Sequence, residues 1–118
     1  MPKSYVSHVD ATDYVRADPE NGQEILEGDT NWLVHWLRQS SEPGAPIAAG
    51  LVTGDPAVVK LRFDANETLI VMAGEADVEI DGEEVVELRP GVIASFVKGT
   101  DTVWTIKSQL KQFFVISE

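Results

Sequence analysis

The chain contains no cysteine and only two histidines, His8 and His35, among its 118 residues. The absence of cysteine excludes disulfide bonds, thiolate metal ligands and cysteine nucleophiles, so any chemistry must come from oxygen, imidazole or amine groups. The sequence also lacks a phosphate-binding glycine loop, a nucleophile elbow and the helical motif of zinc hydrolases. We therefore set those enzyme classes aside.

Basic residues are few, since 9 lysines and arginines are outnumbered by 20 acidic residues and the formal net charge is -11. A chain of this charge repels the phosphate backbone, so we expect no nucleic-acid partner. No apolar run approaches the ~20 residues needed to span a bilayer, and the first residues lack the apolar stretch of a secretory signal. We expect no membrane partner and a cytoplasmic location.

Length and composition are those of one globular domain. A domain commonly has roughly 100 to 200 residues, and 43% hydrophobic with 25% charged residues are ordinary values for a folded protein. Residues 1–30 are polar, with turn residues at 18–22, and they leave room for a short helical turn near residues 10–16. We predict an irregular N-terminal extension over residues 1–30 and a single domain over residues 31–118.

Short apolar segments separated by turn residues recur from residue 31 onward. Apolar and polar side chains alternate over residues 31–39, which predicts a strand that is partly covered on both faces. After a loop at residues 40–46, eight further candidate strands follow, at residues 48–53, 58–63, 68–73, 75–80, 83–88, 92–97, 102–106 and 112–116. Short strands at nearly regular spacing, with no amphipathic helix among them, predict an all-β sandwich or barrel.

The pair Asp81-Gly82 is the strongest turn signal, because both residues tolerate the positive φ angles of a tight hairpin. A two-residue turn at this pair would set Val78 opposite Val85 and Glu79 opposite Glu84. Like charges repel across a strand pair, so we expect the face that carries these glutamates to be exposed to solvent. The acidic run over residues 75–87 lacks the spacing of a calcium loop, and we interpret it as part of that solvated face.

Two segments resemble the motifs of the cupin superfamily. In the first, Glu67 is followed after six residues by Gly74, and in the second, Pro90-Gly91 is followed after five residues by Val97-Lys98-Gly99. Trp104 stands where one branch of the superfamily carries tryptophan. That branch is named for the cupin domain of (S)-ureidoglycine aminohydrolase and includes ethanolamine-utilisation relatives and many uncharacterised small proteins. The resemblance implies an all-β, RmlC-like cupin jelly-roll barrel.

The resemblance does not extend to the metal ligands of the superfamily. Metal-binding cupins carry a His-any-His pair shortly before the glutamate, and these positions hold Leu61 and Phe63, or Lys60 and Arg62, here. The third histidine position falls at Thr102. A transition-metal site needs several imidazole or carboxylate donors converging at about 2.0 to 2.3 Å, and Glu67 alone does not supply them. We expect no metal and no other cofactor.

The resemblance places a candidate ligand pocket at the mouth of the barrel. Its six residues are Glu67, Leu61, Phe63, Phe96, Thr102 and Trp104. The carboxylate of Glu67 would act as an acid or base or bind a ligand amine, or it would be a structural residue held by the backbone or by a basic side chain. The aromatic residues would stack on a planar ligand or would belong to the core.

Strand alternation leaves two orientations open near this pocket. Either Leu61 and Phe63 face the interior as packing, or Lys60 and Arg62 do so and form a cationic pocket for a carboxylate or phosphate. His35 would be an acid-base group if a carboxylate lay near it, or a satisfied core or interface residue. Trp32 and Trp36 would form a subunit interface or pack against the barrel.

Three functions are consistent with these observations. The first is metal-independent binding of a small molecule at the barrel mouth. The second is an enzyme of small nitrogenous metabolite turnover related to ureidoglycine aminohydrolase, and the third is a non-catalytic structural or interaction subunit. An open polar pocket with Glu67 exposed would favour the first, and an interior filled by Leu61 and Phe63 would favour the third. We expect a homodimer, because cupins commonly pair and two-fold dimers are the commonest oligomers.

Overall fold

The computed structural model describes residues 3–17, 23–40 and 47–117, and over these ranges the chain is all-β and contains no helix. The part described therefore has no helix long and apolar enough to cross a membrane. Its strands, in chain order, are β1 Val15–Arg16, β2 Gln23–Gly28, β3 Leu33–Ser40, β4 Ile47–Gly54, β5 Ala57–Arg62, β6 Asn66–Ala73, β7 Ala76–Ile80, β8 Glu84–Leu88, β9 Ile93–Phe96, β10 Asp101–Ile106 and β11 Leu110–Ser117.

The strands form two antiparallel sheets that enclose one apolar core. The six-stranded sheet has the order β1-β3-β4-β11-β6-β9, and the five-stranded sheet has the order β2-β5-β10-β7-β8. Alternate residues of both sheets point inward, and Trp104, Leu69, Leu88 and Val78 are among the most deeply buried. The jelly roll predicted from the sequence is confirmed.

Strands β3 to β11 lie within two residues of the nine segments predicted from alternation and turn residues. The predicted extension differs, because it contains two strands: β1 pairs with β3 and β2 pairs with β5. The helical turn expected near residues 10–16 is wrong, since residues 11–14 are irregular and Val15–Arg16 form β1. Pairing with the edge of a sheet gives this polar segment hydrogen-bond partners that its composition does not reveal. The predicted turn at 18–22 and residues 41–46 of the predicted loop lie outside the described residues.

The hairpin between β7 and β8 keeps the predicted turn but not the predicted register. Asp81 and Gly82 have φ angles of 51° and 72°. The ladder, however, pairs Ile80 with Glu84, so the connection has three residues and Glu79 lies opposite Val85. This register separates Glu79 from Glu84 and instead sets Asp77 opposite Glu87, where the Arg89 guanidinium lies within 4.0 Å of both carboxylates. The face concerned is exposed to solvent, as expected.

A cluster of charged side chains joins this hairpin to β10. The carboxylate of Asp77 accepts hydrogen bonds from Lys107 Nζ at 2.8 Å and from Arg89 at 3.2 Å. The hydrogen bond from the Lys107 ammonium is the main cause that lowers the pKa of Asp77, and the Arg89 guanidinium adds to it against the opposing effect of burial. The charges therefore stabilise the end of the sheet only while Asp77 is ionised.

Residues 3–17 form a strap that crosses the outer face of the six-stranded sheet and ends in its edge strand, β1. The Val9 carbonyl accepts a hydrogen bond from Lys111 Nζ at 2.6 Å. The guanidinium of Arg38 lies 5.1 Å from the centroid of the Tyr5 ring. The strap thus contacts strands at both sides of β4, and it covers Leu51, an apolar residue that would otherwise be exposed to solvent.

Candidate functional site

A cavity of about 220 Å³ opens where β5 turns into β6, and we call it the mouth cavity. It is lined by Leu61, Arg62, Phe63, Asp64, Ala65, Glu67 and Ile116. Glu67 is half-buried on β6, opposite Ile116 of the neighbouring β11. The cavity therefore combines carboxylates with apolar side chains.

The orientation of β5 places its apolar residues inward. Phe63 is 5% exposed, and Leu61 packs against the core. Lys60 is exposed, and the side chain of Arg62 is 63% exposed with its Nε 3.8 Å from a carboxylate oxygen of Asp101. Of the two orientations left open by the sequence, the one with Leu61 and Phe63 inward is therefore the one observed.

Three aromatic rings cluster beneath the mouth cavity, and we call this cluster, of which Phe63 lines the cavity, the aromatic floor. Phe63 and Phe96 are stacked, with centroids 4.8 Å apart and an interplanar angle of 6°. The Trp104 ring lies 5.9 Å from Phe96 and 6.5 Å from Phe63. Offset and tilted ring pairs at these distances stabilise a core beyond their buried area. The rings thus fill the interior beneath the cavity.

Thr102 is buried beside these rings and its hydrogen bonds are made within the protein. Its hydroxyl donates to the Leu61 carbonyl at 2.7 Å and accepts the indole N–H of Trp104 at 3.0 Å. Thr102 occupies the position at which the resemblance expects a third histidine. Its two hydrogen bonds join β5 to β10 and satisfy the indole N–H, which would be costly to bury unpaired.

The predicted pocket residues divide into two groups. Glu67, Leu61 and Phe63 line the mouth cavity, whereas Phe96, Thr102 and Trp104 lie beneath it. Asp64 and Ile116 were not predicted. Asp64 lies in the β5–β6 turn, where the sequence gives it no periodic signal, and Ile116 comes from a distant strand. The role of all these residues in binding stays a prediction.

The donors at the mouth cavity do not fit a metal ion. The described ranges contain no group of three or more His, Asp or Glu side chains that could hold one. The carboxylates of the cavity, Asp64 and Glu67, are accompanied there by Leu61, Phe63 and Ile116, which offer no ligand atom. We derive no chemistry through a metal at this position.

A second cavity of about 270 Å³ lies between the strap and the six-stranded sheet, and we call it the strap cavity. Its lining residues are Tyr5, Val6, Ser7, His8, Val9, His35, Leu37, Gly50, Leu51 and Phe113. His35 is 8% exposed, and its Nε2 lies 2.7 Å from the Ser7 hydroxyl oxygen. Its Nδ1 lies 3.1 Å from a carboxylate oxygen and 3.2 Å from the backbone carbonyl of Asp13. His35 therefore has the carboxylate of Asp13 beside it, as an acid-base histidine requires. Both residues lie away from the mouth cavity.

Trp32, which directly precedes β3, and Trp36 on β3 both contact the rest of the protein. Trp32 donates its indole N–H to Gln23 at 3.1 Å. The ring of Trp36 meets Phe114 edge to face at 5.8 Å and is 37% exposed. Packing against the jelly roll is thus observed, and a role in a subunit interface stays a prediction.

Comparisons with known proteins bear on the family and the fold. The sequence profile of the EutQ-like cupin domain family matches residues 41–114. No curated protein matches the chain. Ethanolamine utilization protein Q from Salmonella typhimurium LT2 has a similar structure, with a TM-score of 0.63 at 21% identity over 74% of this chain and 69% of that chain. The EutQ protein of Clostridium difficile gives a TM-score of 0.64 at 17% identity over 75% of this chain and 63% of that one.

A protein of unknown function from Pseudomonas syringae pv. tomato superposes over more of the chain. Its TM-score is 0.76 at 10% identity, over 89% of this chain and 44% of that chain. The present chain thus spans less than two thirds of this protein and of the Clostridium protein. At such identities the likeness concerns the fold alone.

Proposed function

This chain belongs to the EutQ-like cupin domain family, and on that premise we propose that it binds a small amine-bearing molecule in the mouth cavity without a metal ion. The observation that carries the proposal is the half-buried carboxylate of Glu67 in the wall of a cavity that Leu61, Phe63 and Ile116 also line. The Asp64 carboxylate adds a second negative charge at the same opening. The guanidinium of Arg62, which also lines the cavity, lies 3.8 Å from a carboxylate oxygen of Asp101, and this pairing offsets its positive charge.

A carboxylate in these surroundings favours a cationic hydrogen-bond donor. Charge-assisted hydrogen bonds are roughly twice as strong as neutral ones, and low local dielectric strengthens them further. The formal net charge of -11 also raises the local concentration of small cations relative to anions. Both effects support an ammonium group as the part of the ligand that contacts Glu67.

The size of the cavity restricts the ligand to a small metabolite. Its volume of about 220 Å³ is below the ~300 to 1,000 Å³ of sites for drug-sized ligands. The aromatic floor prevents a ligand from reaching deeper between the sheets. The name of one similar structure, the Salmonella protein, refers to ethanolamine utilization, so ethanolamine is the first compound to test.

The proposal is tested by nuclear magnetic resonance titration of the ¹⁵N-labelled chain with ethanolamine, with acetate as the anionic comparison. We expect ethanolamine, but not acetate, to shift the amide signals of residues 61–67. Glu67→Gln should weaken the binding about tenfold or more, because a hydrogen bond to a charged group contributes ~1.5 to 3 kcal/mol. The exposed Glu84→Gln is the matched control and should leave the affinity unchanged. Equal binding by wild type and Glu67→Gln would overturn the role of the carboxylate.

A structural or interaction subunit is the second candidate, and the aromatic floor favours it. An interior filled by Phe63, Phe96 and Trp104 resembles packing more than a deep ligand site. Absence of any shift at the mouth with ethanolamine would support this alternative. Turnover of a small nitrogenous metabolite, as the ureidoglycine aminohydrolase resemblance implies, would require reactive groups other than a metal at Glu67.

We also propose that the chain forms a homodimer and acts in the cytoplasm. Trp36 is partly exposed and offers the kind of aromatic surface that is enriched at interfaces. Light scattering after gel filtration should give twice the chain mass of 12.9 kDa. A mass of one chain would contradict the dimer.

A further inference from the structure

Three polar side chains, Ser7 and Asp13 of the strap and His35 of β3, lie in contact with one another, away from the mouth cavity. Ser7 Oγ lies 2.7 Å from His35 Nε2, and His35 Nδ1 lies 3.1 Å from Asp13 Oδ1. These residues are far apart in sequence, and the strap brings two of them to the outer face of β3. The distances are those of a nucleophile, a general base and the group that orients the base.

The partners of His35 determine which of its nitrogens carries the proton. Asp13 presents two oxygens to Nδ1, one from its carboxylate and one from its backbone carbonyl, and both only accept hydrogen bonds. Nδ1 of the neutral imidazole is therefore the N–H donor. Nε2 keeps its lone pair and accepts the Ser7 hydroxyl proton, which is the tautomer that general-base catalysis requires.

We propose that Ser7, His35 and Asp13 form an acyl-transfer site that hydrolyses short-chain carboxylic esters. The trio borders a cavity of about 270 Å³ whose other walls include Val6, Leu37, Leu51 and Phe113. An apolar cavity of this size accommodates a short acyl chain and gives no charged partner to an ionic substrate. Ser7 is exposed, so an ester can reach its hydroxyl.

The reaction proceeds in two balanced steps with water as the second reactant. Ser7 Oγ bonds to the ester carbonyl carbon while its proton passes to His35 Nε2. The bond to the alcohol oxygen then breaks, and the same proton passes from Nε2 to the leaving alkoxide. In the second step a water molecule attacks the acyl-serine and gives a proton to Nε2, and the carboxylic acid leaves as Ser7 recovers its proton.

Ser7 and His35 are the catalytic residues of this proposal, and Asp13 is a positioning residue. The side chain of Asp13 is 85% exposed, whereas that of His35 is 10% exposed. The buried imidazole is thus held by a carboxylate that remains in contact with solvent. Asp13→Asn should lower the rate because an amide can present its N–H to Nδ1 and favour the wrong tautomer. Asp13→Glu should restore part of it.

The first measurement is covalent labelling of the full chain with a fluorophosphonate, which loses fluoride when a nucleophilic serine attacks phosphorus. We expect one adduct on Ser7, located by fragmentation of the tryptic peptide that spans residues 4–16. Release of nitrophenolate from p-nitrophenyl acetate and butyrate is then followed. Ser7→Ala and His35→Gln should each lower the rate at least about a hundredfold, the usual contribution of a general base.

Matched controls separate this site from incidental reactivity of the surface. Ser4→Ala and Thr12→Ala each remove another hydroxyl from the strap, and neither residue lines the cavity. Both variants should keep the wild-type rate and the Ser7 adduct. Equal rates for wild type and Ser7→Ala, together with no adduct on Ser7, would show that the three residues only attach the strap.

Discussion

The mouth cavity and the strap cavity differ little in volume, at about 220 and 270 Å³, but they differ in how their polar groups are bonded. Beneath the mouth cavity, Thr102 and Trp104 bond to each other and to β5, inside the core. At the strap cavity, His35 bonds to Ser7 and Asp13, which belong to an exposed segment. One set of polar groups is fixed by two neighbouring strands within the core, and the other by a few contacts with the strap.

The difference indicates where this fold tolerates change. Groups within a close-packed core contact many neighbours at once, so a substitution there lowers the unfolding free energy of the whole domain. A segment attached by a few hydrogen bonds can open locally at a lower free energy than global unfolding. Chemistry attached to the strap can therefore vary without loss of the jelly roll.

The largest effect should come from Phe63→Ala. Truncation of this buried ring removes its stacking on Phe96 and leaves a cavity, which typically costs ~3 to 5 kcal/mol of unfolding free energy. Urea denaturation measures the loss. Val85→Ala on the exposed hairpin is the control and should change stability by less than about 0.5 kcal/mol. A loss below about 1 kcal/mol for Phe63→Ala would mean that the floor is a ligand site rather than a core.

Thr102→Val should have the next largest effect. The substitution keeps the shape of the side chain but leaves the indole N–H of Trp104 and the Leu61 carbonyl without the bonds that the hydroxyl provides. A buried group left unpaired costs about 1 to 3 kcal/mol. Thr105→Val, an exposed position on the same strand, controls for β-propensity. If the two variants are equally stable, the polar groups of the floor are not fixed as described.

Asp77→Asn tests the stabilisation that comes from the charged cluster of Asp77, Lys107 and Arg89, which lies outside both cavities. Because Lys107 lowers the pKa of Asp77 below its usual value of 3.8, ionised Asp77 stabilises the folded state. That stabilisation is complete above pH 3.8 and disappears as the pH falls through the lowered pKa. We expect wild type to exceed the variant by about 1 kcal/mol at neutral pH, with the two converging in strong acid. An unchanged difference in urea unfolding between neutral and acidic pH would contradict the role of the carboxylate.

The smallest effect on stability should come from Ser7→Ala. Loss of one hydrogen bond to His35 should cost only about 0.5 to 1 kcal/mol. Amide hydrogen exchange should accelerate in residues 3–17 while the amides of β10 keep their protection. Ser4→Ala should change neither quantity. Faster exchange throughout β10 would show that the strap and the core are one cooperative unit.

Local patterns were sufficient to predict most of the strands. The motif glycine Gly74 illustrates why, because its φ of 84° suits glycine and a Cβ there would overlap the backbone of Gln109. Alternation also placed Leu61 and Phe63 on one face and Lys60 and Arg62 on the other, but it left open which face points inward. The register of the β7–β8 hairpin was wrong, since Asp81-Gly82 determines the turn but not the number of residues in the connection.

The strap and its polar trio could not be predicted in the same way. β1 has only two residues and β2 is exposed along nearly its whole length, so neither shows the alternation that marks a half-buried strand. Ser7 and Asp13 are 28 and 22 residues from His35, and no short motif joins them. A buried imidazole requires hydrogen-bond partners. This requirement predicts an acceptor near His35, but it does not identify the residue that provides it.

The position of β11 between β4 and β6 has a consequence for the order in which the protein assembles during synthesis. Both neighbouring strands leave the ribosome well before β11, and at ~5 to 20 residues per second each waits several seconds with one unpaired edge. Such edges can pair with other chains during that interval. The strap precedes all the strands it covers, yet Lys111 and Phe113 of β11 complete its binding surface. A segment that is translated before the strands it covers is therefore among the last to dock.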